Sequence, residues 1–593
     1  MKKLNGILAL LLCLLFLVPA LASCGKKTPD ATTAEETAAE STAKGTSAES
    51  KTVTTAAEAS NSSSSQTAPE TTAAVTTTNK WESIGDAVTA YADADRTIRI
   101  QYDTSSSAEN TPQNSKYIQG PDELIDGTTS SIEEKVYHRN RDAAEMLGLS
   151  LEYLKWDQYG WGKQAGQIVT LVNGNDPDTP DLYIDMLYDL NVAMKTSGVF
   201  KDIWSIPGSY FDFNAKGWMK EWMESLSFTG DRAYILGGEY FLELYRTMGV
   251  LPFNLDLMNS NVGKLAPALL GDGETIGAEE SLSTYFFDLV EEGKWTWEDL
   301  GRLCEAIWVD SDTSGDNSFD DVLGIITDRY TGLPAALIVY SAGVSLTETY
   351  VIEDEESENN GKTWVRYLND STLLGSIFDA VSNVFTAPGS FVTNFNPDSG
   401  KTLQEHYTKF SEDTLLFAGP IVLGALENDA FQTMTSVWSV VPLPKITAEQ
   451  KYNTIIHNIG SAGAISVRTS PDKARALSAY LQYCNENSGE ILEEFQQIVT
   501  KFKTTTYNQG TDRMLDIIYA SVITARDKAL EDTAEQTSGK SSGSWMKSQG
   551  YTGTSAFIAE KYLSELSGKQ TKLDKILEKW YALPTSASET PAE

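Results

Sequence analysis

The sequence predicts an α/β fold, a largely parallel sheet covered by helices, and three observations predict it. Strand-like and helix-like periods alternate between Arg96 and Asp189 in the order β-α-β-α-β, the pattern that builds a parallel sheet with crossover helices. The third strand segment, "DLYIDML", is apolar almost throughout, as a strand buried on both faces must be. Finally, 41% of the 593 residues are hydrophobic, and the globular part is long enough for two domains with real cores.

Each element has its own signature. "RTIRIQYD", 96–103, alternates apolar and polar residues. "SIEEKVYHRNRDAAEML", from Ser131 to Leu147, repeats apolar residues at helical spacing and stops at Gly148. "LSLEYLKW" returns to period two, "QAGQIVTLVNGND" reads as a helix, and "DLYIDML" follows. Sheets of this kind place ligands beyond the carboxyl ends of their strands; those ends carry Trp156, Asp185, Tyr188 and Asp189. Further on, "DRAYILGGEYFLELYRTMGVLPFNLDLMN" reads as two strand-like pieces across a Gly-Gly turn. Thr296 caps a helix from Trp297 to Val309, and alternation returns in "AALIVYSAGVS", "TLLFAGPIVLG", "WSVVPLPK" and "IGSAGAISV". Ser470 and Pro471 open another helix, and the chain is then mostly helical to Trp580, ending in a tail over 583–593.

The N-terminal segment reads differently. Lys2 and Lys3 precede an apolar run from Ile7 to Val18 and small residues up to Ser23, which makes a secretory signal over 1–23. "Leu21-Ala22-Ser23-Cys24" resembles the bacterial lipobox, in which Cys24 takes a diacylglycerol and becomes the first mature residue. Two acyl chains suffice for stable tethering. From there to about residue 80 the chain is nearly all Thr, Ser, Ala and Glu, a composition that cannot offset ordering entropy and predicts a disordered stalk. As a coil of roughly 55 residues it would reach on the order of 40 Å.

Composition narrows the chemistry. A formal charge of −37 repels phosphate backbones, so nucleic acid is excluded as a partner. Beyond Cys13 and Cys24, only Cys304 and Cys484 remain, and both are expected as buried free thiols. With three histidines and no H-E-x-x-H, paired C-x-x-C or P-loop, zinc and nucleotide chemistry lack their usual ligands. One G-x-S-x-G match, "GKSSG" at 539–543, has no strand before it and fails the nucleophile-elbow context. Nothing in the chain argues positively for an enzyme, although 83 acidic residues leave carboxylate pairs open.

The sharpest local chemistry is "DSDTSGDNSFDD", Asp310 to Asp321. Asp312, Ser314, Asp316, Ser318 and Asp320 fall at the alternate positions of a calcium loop, whose spacing curls hard oxygens around one point. Asn317 takes the place usually held by Gly, and Leu323 takes that of the bidentate acid, so Asp321 would have to help. The alternatives are a structural Ca2+ and a solvated Asx-rich turn.

Several phrases, in order, resemble the family 1 extracellular solute-binding proteins of carbohydrate ABC importers, the maltose-binding-protein-like family. They are "GKWTWEDLGRLCEAI" with "DTSGDNSFDDVLGI", then "VLPFNLDLMN", "VVPLPK", "GSAGAISVRTSPDKARALSAYLQYC" and "RMLDIIYAS". The resemblance covers roughly Arg96 to Trp580 and implies a two-lobed periplasmic-binding-protein-like fold that closes on ligand by a hinge. The first lobe would span 95–235 with 458–505, and the second 250–455 with most of 506–582. Carried over by local pattern, cleft contacts would fall on Asp185, Tyr188, Asp189, Glu239, Tyr240, Tyr330, Phe417 and Gly419. Trp156 and Trp438 would add aromatic faces suited to sugar rings, core packing being the alternative for every ring. The implied protein is a monomeric lipoprotein on the outer face of the cell membrane. It would bind a sugar or oligosaccharide and serve ABC permease subunits, with a peptide-like ligand or a secreted glycoside-acting enzyme as alternatives.

Overall fold

The computed structural model describes residues 79–91, 96–103, 117–125, 129–156, 163–174, 176–271, 275–277, 280–329, 331–343, 346–393, 403–500, 508–523 and 542–582. The expected signal, Cys24 and nearly all of the stalk lie outside them. No helix among the described residues is long and apolar enough to cross a membrane.

A helix absent from the sequence reading, α1 (Lys80–Tyr91), opens the body where the stalk was expected to end. Trp81 anchors it by an edge-on contact with Tyr483 at 5.1 Å. Next come β1 (Thr97–Asp103), α2 (Ser131–Leu147), β2 (Ser150–Trp156), α3 (Lys163–Asn173), β3 (Leu182–Met186) and α4 (Leu187–Ser197). α2 shows why such sequences become helices. Ser130 and Glu133 exchange a reciprocal capping box at the start, and Gly148, at φ 63°, turns the chain out left-handed at the end. Between them Ile132, Val136, Ala143 and Leu147 form one buried stripe.

That first sheet has the order β13-β3-β1-β2, with β1 parallel to both β2 and β3. Its edge strand β13 (Ser461–Ile465) arrives from far along the chain and lies antiparallel on β3. The chain leaves this body through a short helix, α5 (Leu242–Arg246), and enters β4 (Gly249–Asn254). The segment 234–241, expected as strand, makes only an isolated bridge from Leu236 to Gly463 and another from Gly238 to Trp218. At Gly237 and Gly238 an added Cβ would run into Trp222 and Asn485, so only glycine fits there.

The second body is a sheet of order β10-β4-β9-β5-β8, with β11 also paired to β4. Its elements include α6 (Trp297–Ile307), β5 (Leu323–Asp328), the hairpin β6 (Thr347–Val351) and β7 (Thr363–Tyr367), α7 (Thr372–Thr386), β8 (Ser390–Thr393), α8 (Leu403–Ser411), β9 (Leu415–Ala418), β10 (Ile421–Val422) and β11 (Trp438–Val441). As expected, Thr296 caps α6, in a capping box with Asp299. "AALIVYSAGVS" is corrected to a helix, Leu333–Ser341: Pro334 sits in its first turn and every residue from there to Ser341 is buried, so no alternation was there to follow. Cys304 and Cys484 are buried free thiols.

Chain crossings join the two bodies. The outward and return segments meet where His457 N donates to Thr247 O at 2.9 Å and Met248 bridges Ile456. Beside them Arg246, fully buried, donates to Glu427 at 2.7 and 3.2 Å, with Glu243 4.0 Å away. α9 (Pro471–Glu486), α10 (Gly489–Thr500) and α11 (Asn508–Ala520) follow the return, and α12 (Ser555–Ala582) completes the described chain.

The core of the second body is aromatic. Phe417 stacks on Trp295 at 5.8 Å and meets Phe253 and Phe286 at 6.1 and 6.2 Å. Phe417→Ala would leave a cavity there and is expected to cost about 3–5 kcal/mol, read as a fall in the denaturation midpoint.

Candidate functional site

The register of the first sheet assembles the site. Tyr102 pairs with Ile184 in parallel, so the next residues, Asp103 and Asp185, fall side by side at the carboxyl ends of β1 and β3. Asp103 is also the partner of Trp156 at the end of β2, and Asp185 of Ala462 on β13. Trp156, Asp103 and Asp185 therefore form one row across the edge of the sheet. All three are buried, with 7, 1 and 2% of their surface exposed. Asp189, in the first turn of α4, is buried behind them and accepts from the backbone N of Ala165 at 3.0 Å. It thereby caps the start of α3, where the first amides lack carbonyl partners.

The return crossing fixes the start of α4. Leu187 N donates to Gly460 O at 2.9 Å and Tyr188 N to Asn458 O at 3.0 Å. The half-buried Tyr188 is held beside the row through this backbone bond.

Burial, and then the charges of Asp103 and Asp189, raise the pKa of Asp185 well above the usual carboxylate range. One short bond opposes this, Met186 N donating to Asp185 Oδ1 at 2.6 Å. At the end of β5 in the second body, Asp328 accepts from Thr331 N and Oγ1, both at 2.8 Å. There burial pushes the pKa of His406 down to about 4, against the pull of Asp328, so its imidazole is neutral at physiological pH.

The structure thus brings together Trp156, Asp185, Tyr188 and Asp189 from the sequence reading and adds Asp103, which that reading passed over. The other expected contacts stand elsewhere. Glu239 lies between Lys216, which lowers its pKa, and Glu493, which raises it, with burial the largest influence and upward. Tyr240 has no exposed surface: the Arg139 guanidinium lies 4.6 Å from its ring centre, and its hydroxyl is 3.5 Å from that of Tyr480. Phe417 belongs to the aromatic core. Trp438 is buried too, its indole donating to Phe431 O at 3.1 Å. Gly419 occupies φ 139°, where an added Cβ would meet Ile421 N at 2.7 Å, so a backbone turn explains it. Tyr330 lies outside the described residues.

The acidic loop curls differently from its expected pattern. Asp310, Asp312 and Asp321 converge, one oxygen of each lying within 4.8 Å of the others, and Asp316 and Asp320 are not in that group. Ser314 uses its hydroxyl on the Asp316 carbonyl at 3.1 Å. Ser318 gives its backbone N to Asp321 at 2.9 Å, and Asp321 also accepts from Ser311 N at 2.8 Å and the Trp308 indole at 3.3 Å. These donors outweigh burial and hold the Asp321 pKa below its ordinary value.

No protein-family model matches the chain, and no curated protein matches it in sequence. Solved structures do match, among them several sugar-binding proteins. The galacto-N-biose/lacto-N-biose I-binding protein of an ABC transporter from Bifidobacterium longum is 13% identical over 84% of this chain and 100% of its own, with a TM-score of 0.46. A family 1 extracellular solute-binding protein from Bifidobacterium longum subsp. infantis is 13% identical over 83% and 100%, at 0.42. The GacH receptor of Streptomyces glaucescens, solved unliganded and with acarbose, is 11% identical over 80% and 99%, at 0.41. The sugars are those proteins' own.

The sign of the Asp185 shift gives a test. A carboxyl that holds its proton more tightly when folded favours the fold at low pH, and that contribution is lost as pH rises from the ordinary carboxylate range through the raised value. Asp185→Asn keeps the shape and removes the charge. It is expected to raise the melting temperature more at pH 8 than at pH 4, as paired thermal melts would show.

Proposed function

We propose that the protein is a lipid-anchored, extracellular substrate-binding protein of an ABC importer. It captures a sugar or oligosaccharide by closing its two bodies over it and presents it to permease subunits. The observation that carries this reading is the row Trp156–Asp103–Asp185, backed by Asp189, on the carboxyl edge of the first sheet. An indole offers a flat face to the apolar side of a pyranose. Carboxylates accept charge-assisted bonds from hydroxyls, and a protonated Asp185 donates as well. The paired crossings at Thr247 and His457 supply a hinge. Cys24 and the stalk supply the tether, and the charge of −37 disfavours anionic ligands.

A thermal-shift screen against mono- and oligosaccharides tests this. A ligand at a hundred times its Kd adds about 2.7 kcal/mol of stability, and Trp156→Ala or Asp185→Asn is expected to abolish most of that shift. No shift with any sugar overturns the assignment. Turnover of the panel would favour a glycoside-acting enzyme, whose acid–base chemistry the Asp103–Asp185 pair could serve.

For the acidic loop we propose one structural Ca2+ held by Asp310, Asp312 and Asp321, which supply part of the six to eight oxygens calcium takes, with water supplying the rest. Melting is then expected to be lower in chelator than in calcium; coincident melts remove the ion.

A further inference from the structure

The long helix α12 belongs to the second body along most of its length and to the first at its last turn. Near its start Tyr562 donates its hydroxyl to the Leu368 carbonyl at 2.7 Å, and the helix lies along α7. Its middle is pinned to the β6–β7 hairpin. Gln570 accepts from Tyr367 N at 2.9 Å, and Asp574 accepts from the Trp364 indole at 3.0 Å. Trp580, roughly 27 Å beyond Tyr562 at 1.5 Å per residue, leaves that surface for the first body.

Trp580 sits in a built socket. Its indole N–H donates to Thr229 Oγ1 at 2.7 Å, and its carbonyl accepts from the Arg232 guanidinium at 3.3 Å. Its ring meets Phe228 and Tyr234 at 4.7 and 5.1 Å, and only 2% of its surface is exposed. The walls of this socket belong to the first sheet's body: Ile203 N donates to Ala233 O, and Lys201 N to Ile465 O on β13. Tyr581 closes the seam from the other body, stacked on Trp364 at 5.9 Å and 6°, with the Arg232 guanidinium 5.2 Å from its ring centre.

We infer that α12 is a clasp between the two bodies. It is a rod fixed to the second body, and its terminal indole plugs the first, so the angle between the bodies is set by this dock as well as by the chain crossings. Only the last turn crosses the seam. Undocking it breaks one aromatic socket and a few hydrogen bonds while leaving Tyr562, Gln570 and Asp574 in place, which makes the contact separable from the fold of either body. α12 also lies against α4, whose first turn carries Asp189, so the clasp and the acidic row share an element. The inference goes beyond the proposed function and concerns the protein without ligand.

The test uses the full chain, ligand-free, with genetically encoded spin labels at the exposed Glu134 and Glu412, one on each body. Trp580→Ala and Thr229→Val are compared with Glu560→Ala, an exposed control on the same helix. The clasp predicts one narrow distance peak for wild type and E560A. It predicts a shift to longer mean distance with loss of the narrow peak for W580A, and a smaller change in the same direction for T229V. Hydrogen exchange across 555–569 should stay slow in W580A, showing the rod still on the second body. A narrow, unshifted peak in W580A overturns the clasp. If W580A instead loses protection along all of α12, T229V decides, and an unshifted peak there overturns it. Because no sugar is present, neither result depends on the ligand assignment.

Discussion

The hydrogen bond from His457 N to Thr247 O holds the outward and return crossings of the chain together, and much of the rest depends on that pairing. Just beyond it the return strand supplies Asn458 and Gly460, whose carbonyls receive the first amides of α4, and then β13, which closes the edge of the first sheet. Asp189 and Tyr188 are thus placed by residues some 270 positions downstream. Arg246 reinforces the junction at a cost. A guanidinium with no exposed surface must be fully paired, and Glu427 of the second body meets that need with two bonds while Glu243 adds its charge from the same short helix. Burial lowers the Arg246 pKa, but the carboxylates win and leave it raised.

Asp185 stands in a different setting: burial raises its pKa furthest, and the charges of Asp103 and Asp189 raise it further. Such an arrangement costs stability in the free protein, and sites that cost stability are where function is expected. In Asp321 the same residue type is spent differently: three N–H donors satisfy it, and its pKa falls. Surroundings, not residue identity, separate a poised carboxylate from a structural one.

Much of the architecture was legible because local period and capping carry it. Ser130 to Gly148, the alternating "RTIRIQYD", the apolar "DLYIDML" and Thr296 each became the element their pattern indicated. Leu333–Ser341 was misread because a helix buried on all sides shows no periodicity. In the site, Trp156, Asp185 and Asp189 could be found from strand ends. Asp103 ends a strand in the same way as Asp185 and could have been found by the same rule; what the sequence could not show was that β1 and β3 are neighbours in register. The burial of Phe417, Trp438 and Tyr240 could not be read from one-dimensional text, since a ring suits a core as well as a sugar.

β13 has a consequence for how the polypeptide matures. A sheet whose edge strand is encoded after most of the second body cannot be completed as its own segment emerges; β3 gains that partner only once 461–465 has followed. Pairings between such distant segments are slow to form. During biogenesis the nascent chain therefore passes through a long interval with one flank of β3 unpaired and exposed to mispairing.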